Sequence, residues 1–307
     1  MERLITKWQK SVNEKKSIVC AGLDPAIYAL GRGEQGLAKG IDLVKWGQSY
    51  LKAVADYVAG VKINPSYFES SAQIQDLIGF AKELGLVVLY DSKIADITDT
   101  NEAAIFFAAQ RGVDAITVAP FAGNLMATTK LAHKMKIGTL AICIMSTLEY
   151  EVEKNMLVHI SQEDAAELAS LKFAVSHSRQ RLSVQMVPSA WLEDKKIPRY
   201  AYLALKIRMS GTDGAVVGLS SSLRKEELLM VSTILGNKSL ILTPGVGYQG
   251  GDSRFLGELI DPRRIIINSG RALMYPMGLK SSAKDQRAAA KKVNHTIWNY
   301  FLRQINL

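Results

Sequence analysis

The apolar positions of the chain fall into two alternating kinds of segment. Short runs rich in Val, Ile and Leu recur at 17–24 (SIVCAGLD), 57–64 (YVAGVKIN), 86–93 (LVVLYDSK), 114–120 (DAITVAP), 138–146 (GTLAICIMS), 213–220 (DGAVVGLS), 239–246 (SLILTPGV) and 264–270 (RIIINSG). Between them lie longer stretches with helical spacing, among them SAQIQDLIGFAKELG and TNEAAIFFAAQRG. In the second of these Thr100 is the predicted N-cap, and Gly112 ends the helix. The final stretch, KDQRAAAKKVNHTIWNYFLRQINL, predicts a helix with Val293, Ile297, Phe301 and Ile305 on one face. Strand alternating with helix predicts βαβ units and a parallel sheet. Eight such units in 307 residues match the size of a closed (β/α)8 TIM barrel in a single domain. An open doubly wound sheet is the alternative, but no G-x-G-x-x-G follows the first strand, which argues against a dinucleotide site.

One gap interrupts the rhythm. About fifty residues separate Ser146 from the helical stretch RYAYLALKIRMSG, where a connection of a few is usual. The gap is apolar and periodic enough to predict ordered structure, and SQEDAAELASLKFAV reads as a helix with a Ser161–Asp164 capping box. It is read as an insertion after the fifth strand, approximately 147–199, and not as a second domain.

Composition narrows the function classes. No run reaches 18 apolar residues, so no membrane span is expected, and the charged N-terminus does not read as a secretory signal. Cys20 and Cys143 both sit in apolar runs, as buried free thiols of a reducing cytoplasm do. His133, His159, His177 and His295 lack metal-ligand spacing, so no zinc site is predicted. The net charge of +9 suits an anionic partner or simply a basic, solvated surface. Lys and Arg are dispersed and not interleaved with aromatics. A phosphorylated small molecule is therefore the better reading, and nucleic acid is not expected.

The strand ends carry the chemistry. In a barrel of this kind the site lies at the C-terminal ends of the strands. Period two puts Val87, Leu89, Asp91 and Lys93 on one face of the third strand, with Asp96 on the loop beyond. Lys62 ends the second strand and Asp24 the first. Such charges could close the barrel top as a salt-bridge rim. They could equally form an alternating Lys–Asp–Lys–Asp array whose buried charges compensate one another at a reactive centre. The glycine-rich TPGVGYQGGD and NSGRAL follow the seventh and eighth strands, where barrels commonly bind phosphate. Gly245, Gly247, Gly250 and Gly251 allow close backbone approach to an anion, and Arg271 with the following helix N-terminus can hold it. Two ordinary glycine turns are the alternative.

Taken together, AGLDP, VKINPSYFE, DSKIADITDT, CIMS, TPGVGYQGGD and SGR follow the order and strand positions of the orotidine 5′-monophosphate (OMP) decarboxylase family, which the chain resembles. The resemblance implies metal-free and cofactor-free conversion of OMP to uridine 5′-monophosphate (UMP) and CO2 in pyrimidine biosynthesis. It implies that Lys93 protonates C6 and that Asp91 lies beside the substrate carboxylate. Lys62 would bridge the ribose and the two aspartates, and Asp24 would bind a ribose hydroxyl. Ser146 would hydrogen-bond the pyrimidine amide, and Gln249 would link base and phosphate. Gly247, Gly270 and Arg271 would serve the phosphate. Asp96, Ile97 and Thr100 would enter the partner's site across a homodimer interface. The insertion and the flanks of NSGRALMYP depart from the family pattern. No phosphoribosyltransferase-like segment is seen, so a fused synthase is not expected. The rivals are a Mg²⁺-dependent phosphosugar decarboxylase of the same superfamily, which shares D-x-K-x-x-D, and a non-catalytic anion-binding barrel. Ser146 and Gln249, suited to a pyrimidine, argue against the first.

Overall fold

The computed structural model describes residues 2–171, 187–245 and 254–305. Its strands are β1 (Val19–Leu23), β2 (Gly60–Ile63), β3 (Val87–Ile94), β4 (Ala115–Val118), β5 (Gly138–Ile144), β6 (Leu157–His159), β7 (Lys196–Pro198), β8 (Gly214–Val217), β9 (Leu240–Pro244) and β10 (Ile265–Ser269). Eight of them close into a barrel in the order β1-β10-β9-β8-β5-β4-β3-β2, every neighbouring pair parallel. Helices lie between the barrel strands, as a (β/α)8 barrel requires. Barrel strands are covered on both faces, so they read as near-continuous apolar runs, and β1, β2, β4 and β8 are buried at every position.

The helices follow local rules. Ser70 and Gln73 form a capping box that starts Ser71–Glu83, and Asp42 accepts from the amides of Val44 and Lys45 at the start of Leu43–Val54. The last helix, Ala283–Ile305, buries Ile297 and Phe301 and packs Val293 against the core; the side chain of Ile305 lies outside the described residues. Trp8 lies wholly buried, with its indole N–H donating to the Ile265 carbonyl at 3.0 Å.

Thr100 does not cap its helix. The helix runs Thr98–Gln110, so Thr100 lies within its first turn and Ile97 occupies the cap position without a side-chain bond. Asn101 takes over the work: its Nδ2 donates to the Asp96 carbonyl at 2.8 Å, and its Oδ1 accepts from the Asp96 amide at 3.1 Å. A buried amide bonded on both sides outcompetes an exposed threonine for the helix start.

Between β5 and the helix Arg199–Met209, the described residues form the helices Tyr150–Asn155, Gln162–Ser170 and Ser189–Glu193, and the antiparallel pair β6–β7. The Ser161–Asp164 capping box is present. Residues 172–186 of this excursion lie outside the described residues. Its described parts are fixed to the barrel by ion pairs: Arg199–Glu153 at 2.6 Å, Lys206–Asp164 at 2.5 Å and Arg208–Glu167 at 2.8 Å.

Candidate active site

The C-terminal ends of the barrel strands surround a cavity of about 330 Å³. Its charged lining is Asp24, Arg32, Lys62, Asp91, Lys93 and Arg271. Asp24 follows β1, Lys62 lies in β2, and Asp91 and Lys93 lie in β3, so three neighbouring strands deliver four charges to one place.

These four form a continuous chain. Lys62 Nζ lies 2.7 Å from Asp91 Oδ2 and 3.4 Å from Asp24 Oδ1. Lys93 Nζ lies 2.8 Å from Asp91 Oδ1, and Thr117 Oγ1 donates to the same oxygen at 2.9 Å. Burial works against the charge on Lys62, but Asp24 and Asp91 outweigh it and push its pKa up. Burial likewise opposes the Asp91 carboxylate, yet Lys62 and Lys93 hold its pKa down at about 2. Both oxygens of Asp91 are therefore occupied by ammonium groups. The side chain of Lys62 is 6% exposed, whereas that of Lys93 is 42% exposed and open to the cavity. A charge pinned at one end and accessible at the other is suited to meeting a bound reactant.

The backbone at Lys93 departs from a regular strand. The register between β3 and β4 shifts between Tyr90 and Ile94, and Lys93 has φ +47°. That left-handed backbone is uncommon for a residue with a Cβ, and bulges of this kind re-aim side chains beside active sites. Thr117 of β4 stabilises the bulge by accepting from the Lys93 amide at 2.9 Å while its hydroxyl holds Asp91. Period two puts Asp91 and Lys93 on one face, and both do line the cavity, with the bulge and the Thr117 hydrogen bond setting the backbone at Lys93.

Ser146, Gly245, Gly270 and Arg271 also line the cavity. Gly218 has no room for a side chain: a Cβ there would overlap the Ser146 backbone, so a glycine after β8 lets the Ser146 segment settle. The helix after Gly270 is only Arg271–Met274, so it supplies no long dipole at the anion end; Arg271 itself carries the charge there. Its Nη1 donates to Gln35 Oε1 at 3.1 Å. Gly247, Gln249, Gly250 and Gly251 lie outside the described residues. Asp96, Ile97 and Thr100 are exposed and do not line the cavity of their own chain.

Sequence reasoning missed several residues of the site, which line the cavity or hold a residue that does. Asn268 of β10 is buried, and its Oδ1 has no hydrogen-bond partner among the described residues, an acceptor that a bound hydroxyl or amide would satisfy. Asn64 lines the cavity and caps the following turn by accepting from the Ser66 amide. Its place two residues after Lys62, at a strand end, was the available signal. Thr117, Arg32 and Gln35 had none, because their roles depend on residues distant in the chain.

Comparison with known proteins agrees with this geometry. A family model described as the orotidine 5′-phosphate decarboxylase / HUMPS family matches residues 19–293. An orotidine 5′-phosphate decarboxylase of Ralstonia pickettii is 29% identical, covering 95% of this chain and 94% of its own. One of Thermomicrobium roseum is 26% identical over 94% and 92%. Among solved structures, the Leishmania donovani OMP decarboxylase has a TM-score of 0.68 at 18% identity, covering 98% of this chain and 99% of its own. A Toxoplasma gondii structure described as a putative orotidine-monophosphate-decarboxylase has a TM-score of 0.72 at 16% identity, covering 99% and 98%. The structural neighbours share the barrel, and the match of the family model across nearly all of it shows that the chain belongs to the orotidine 5′-phosphate decarboxylase / HUMPS family.

Proposed function

We propose that the chain converts OMP to UMP and CO2, as a carboxy-lyase of pyrimidine biosynthesis. The observation that carries this reading is the Asp24–Lys62–Asp91–Lys93 chain, with Lys93 open to the cavity. Loss of CO2 from C6 of the pyrimidine leaves an electron pair in an sp² orbital that the ring cannot delocalise. An ammonium fixed at that carbon stabilises the developing charge and then delivers a proton to it. Lys93 is the group for both tasks, and Asp91 holds it by an ion pair. Asp91 in turn faces the reacting carboxylate. Lys62 keeps Asp91 ionised and reaches toward the ribose, whose hydroxyl Asp24 accepts. Ser146 reads the pyrimidine amide, and Gly270 and Arg271 hold the phosphate, with Gly247 and Gln249 completing that end.

The exposed position of Asp96, Ile97 and Thr100 supports their assignment to a partner's site in a homodimer. The ion pairs Lys206–Asp164 and Arg208–Glu167, between the 147–199 excursion and the following helix, support one domain carrying an insertion. The engagement of both Asp91 oxygens by lysines supports a reaction without a divalent cation, since the ammonium groups already occupy the carboxylate that would bind one. No helix of the described residues is long and apolar enough to cross a membrane. A cytoplasmic site of action suits the buried free thiols of Cys20 and Cys143.

The test is the fall in ultraviolet absorbance of OMP on adding purified protein, with and without EDTA. Formation of UMP at equal rates in both is the expected result. Turnover abolished by EDTA would favour the metal-dependent rival, and a folded protein that binds UMP without turnover would favour a binding barrel.

A further inference from the structure

The loop between β1 and the helix Leu43–Val54 lies against the end of β10, because β1 and β10 are neighbours where the barrel closes. Two of its side chains are tied to that end. Glu34 Oε2 accepts from the Leu279 amide at 3.0 Å, and Gln35 Oε1 accepts from Arg271 Nη1 at 3.1 Å. Between Gly31 and Gly33, at φ +63° and +54°, the chain turns sharply on both sides of Arg32. Arg32 is exposed, lines the cavity, and has no hydrogen bond or ion pair among the described residues.

The charges around the cavity give this guanidinium a task. Lys62 and Lys93 are matched by Asp24 and Asp91, which leaves Arg32 as a cation of the lining with no counter-charge among the described residues. A phosphomonoester carries a charge near −2 at neutral pH, and one arginine neutralises half of it. Charge-assisted hydrogen bonds to phosphate are the strongest an arginine makes.

We infer that Arg32 is a second phosphate-binding residue, delivered by the loop after β1, and that Gln35 orients Arg271 beside it. The assignment rests on the nucleotide reading of the site. Binding of the loop to phosphate makes remote binding energy available to the reaction without contact with the base.

Calorimetric titration of UMP and uridine separates the possibilities, because the two ligands differ only in the phosphate. The wild-type protein binds UMP more tightly than uridine. Arg32→Gln weakens UMP binding about tenfold or more, equivalent to about 1.4 kcal/mol, and leaves uridine within about twofold. Arg32→Lys restores part of the loss, since a point charge remains without the planar fork. Undiminished UMP affinity in Arg32→Gln, or equal losses for UMP and uridine, overturns the assignment to phosphate. A wild-type protein that binds neither ligand overturns the nucleotide reading itself, and this inference with it.

Discussion

Two clusters of buried charge in this barrel meet the same cost in opposite ways. The first is the Asp24–Lys62–Asp91–Lys93 chain at the cavity. The second joins the excursion after β5 to the segment after β8. There Lys154, with 2% of its side chain exposed, places Nζ 2.8 Å from Glu227 Oε2, 2.7 Å from Glu151 Oε2 and 2.7 Å from the Ser222 carbonyl. The ammonium donates hydrogen bonds to Glu227 and to the Ser222 carbonyl, and Glu151 adds a third close anionic contact. Glu227 is also 2% exposed, and accepts from the Arg224 amide at 3.0 Å and from Arg224 Nη2 at 2.6 Å. The charged ends of Lys154 and Glu227 are both buried and turned to each other, not to a cavity. In the cavity chain, by contrast, Lys93 keeps 42% of its side chain exposed beside a carboxylate whose oxygens are already engaged. Burying charge costs several kcal/mol per ion unless it is paired and hydrogen-bonded. A closed cluster uses that pairing to fix two segments together. An open one leaves its terminal charge available to a reactant. Closure, not the presence of buried charge, separates a structural ion cluster from a reactive one.

Substitution separates the two most sharply in activity. Lys93→Ala lowers turnover by at least about 10⁴-fold, since both charge stabilisation and proton delivery are lost, while the thermal midpoint shifts by only a few degrees. Near-normal turnover would remove Lys93 from the reaction. The same variant, mixed with Asp96→Ala chains, probes the partner's contribution. Random exchange gives about a quarter of the wild-type activity, because half the dimers are hybrids with one intact site each. Absence of recovery, with subunit exchange confirmed, places Asp96 outside the partner's site.

At the closed cluster the effect falls on stability. Lys154→Met leaves Glu227 buried with its lysine partner gone and costs about 3–5 kcal/mol in denaturant unfolding. The double variant Lys154→Met, Glu227→Met recovers much of that loss, and the folded fraction keeps its turnover rate. A Lys154→Met protein as stable as wild type would show that the cluster holds nothing together.

The smallest effect is in the acid limb of stability. Asp91 has a folded pKa of about 2, below its ordinary value of 3.8. Its contribution is therefore present above pH 3.8 and is lost as pH falls through about 2. By linkage this amounts to about 2 kcal/mol. Asp91→Asn removes that component, so its unfolding free energy falls less between pH 4 and pH 2 than that of the wild type. An unchanged acid limb would show that the lysines do not hold Asp91 in its charged form.

Much of the barrel and part of the site were legible along the chain, and the reason is locality. Strand periodicity, the Ser161 capping box and the apolar face of the final helix depend on residues within a few positions of one another. Asp24, Lys62 and Asp91 could be read as strand-end charges because parallel barrel strands all finish on one rim. Alternation placed Lys93 beside Asp91, but not the bulge or the left-handed backbone there, which involve a hydroxyl of β4 24 residues away. Thr100 misled for the same reason: Asn101 is anchored by Thr128 of the next helix as well as by Asp96. The Lys154–Glu227 pair spans 73 residues and the Gln35–Arg271 contact 236. By itself, then, the sequence determined the element types, their order and which charges stand at the strand ends, because hydrophobic period and turn chemistry are local properties. Only the tertiary structure decided which of those charges touch, which one stays open to the cavity and how the loop after β1 meets the end of β10. Barrel closure brings distant segments within hydrogen-bonding range, and no local pattern encodes that proximity.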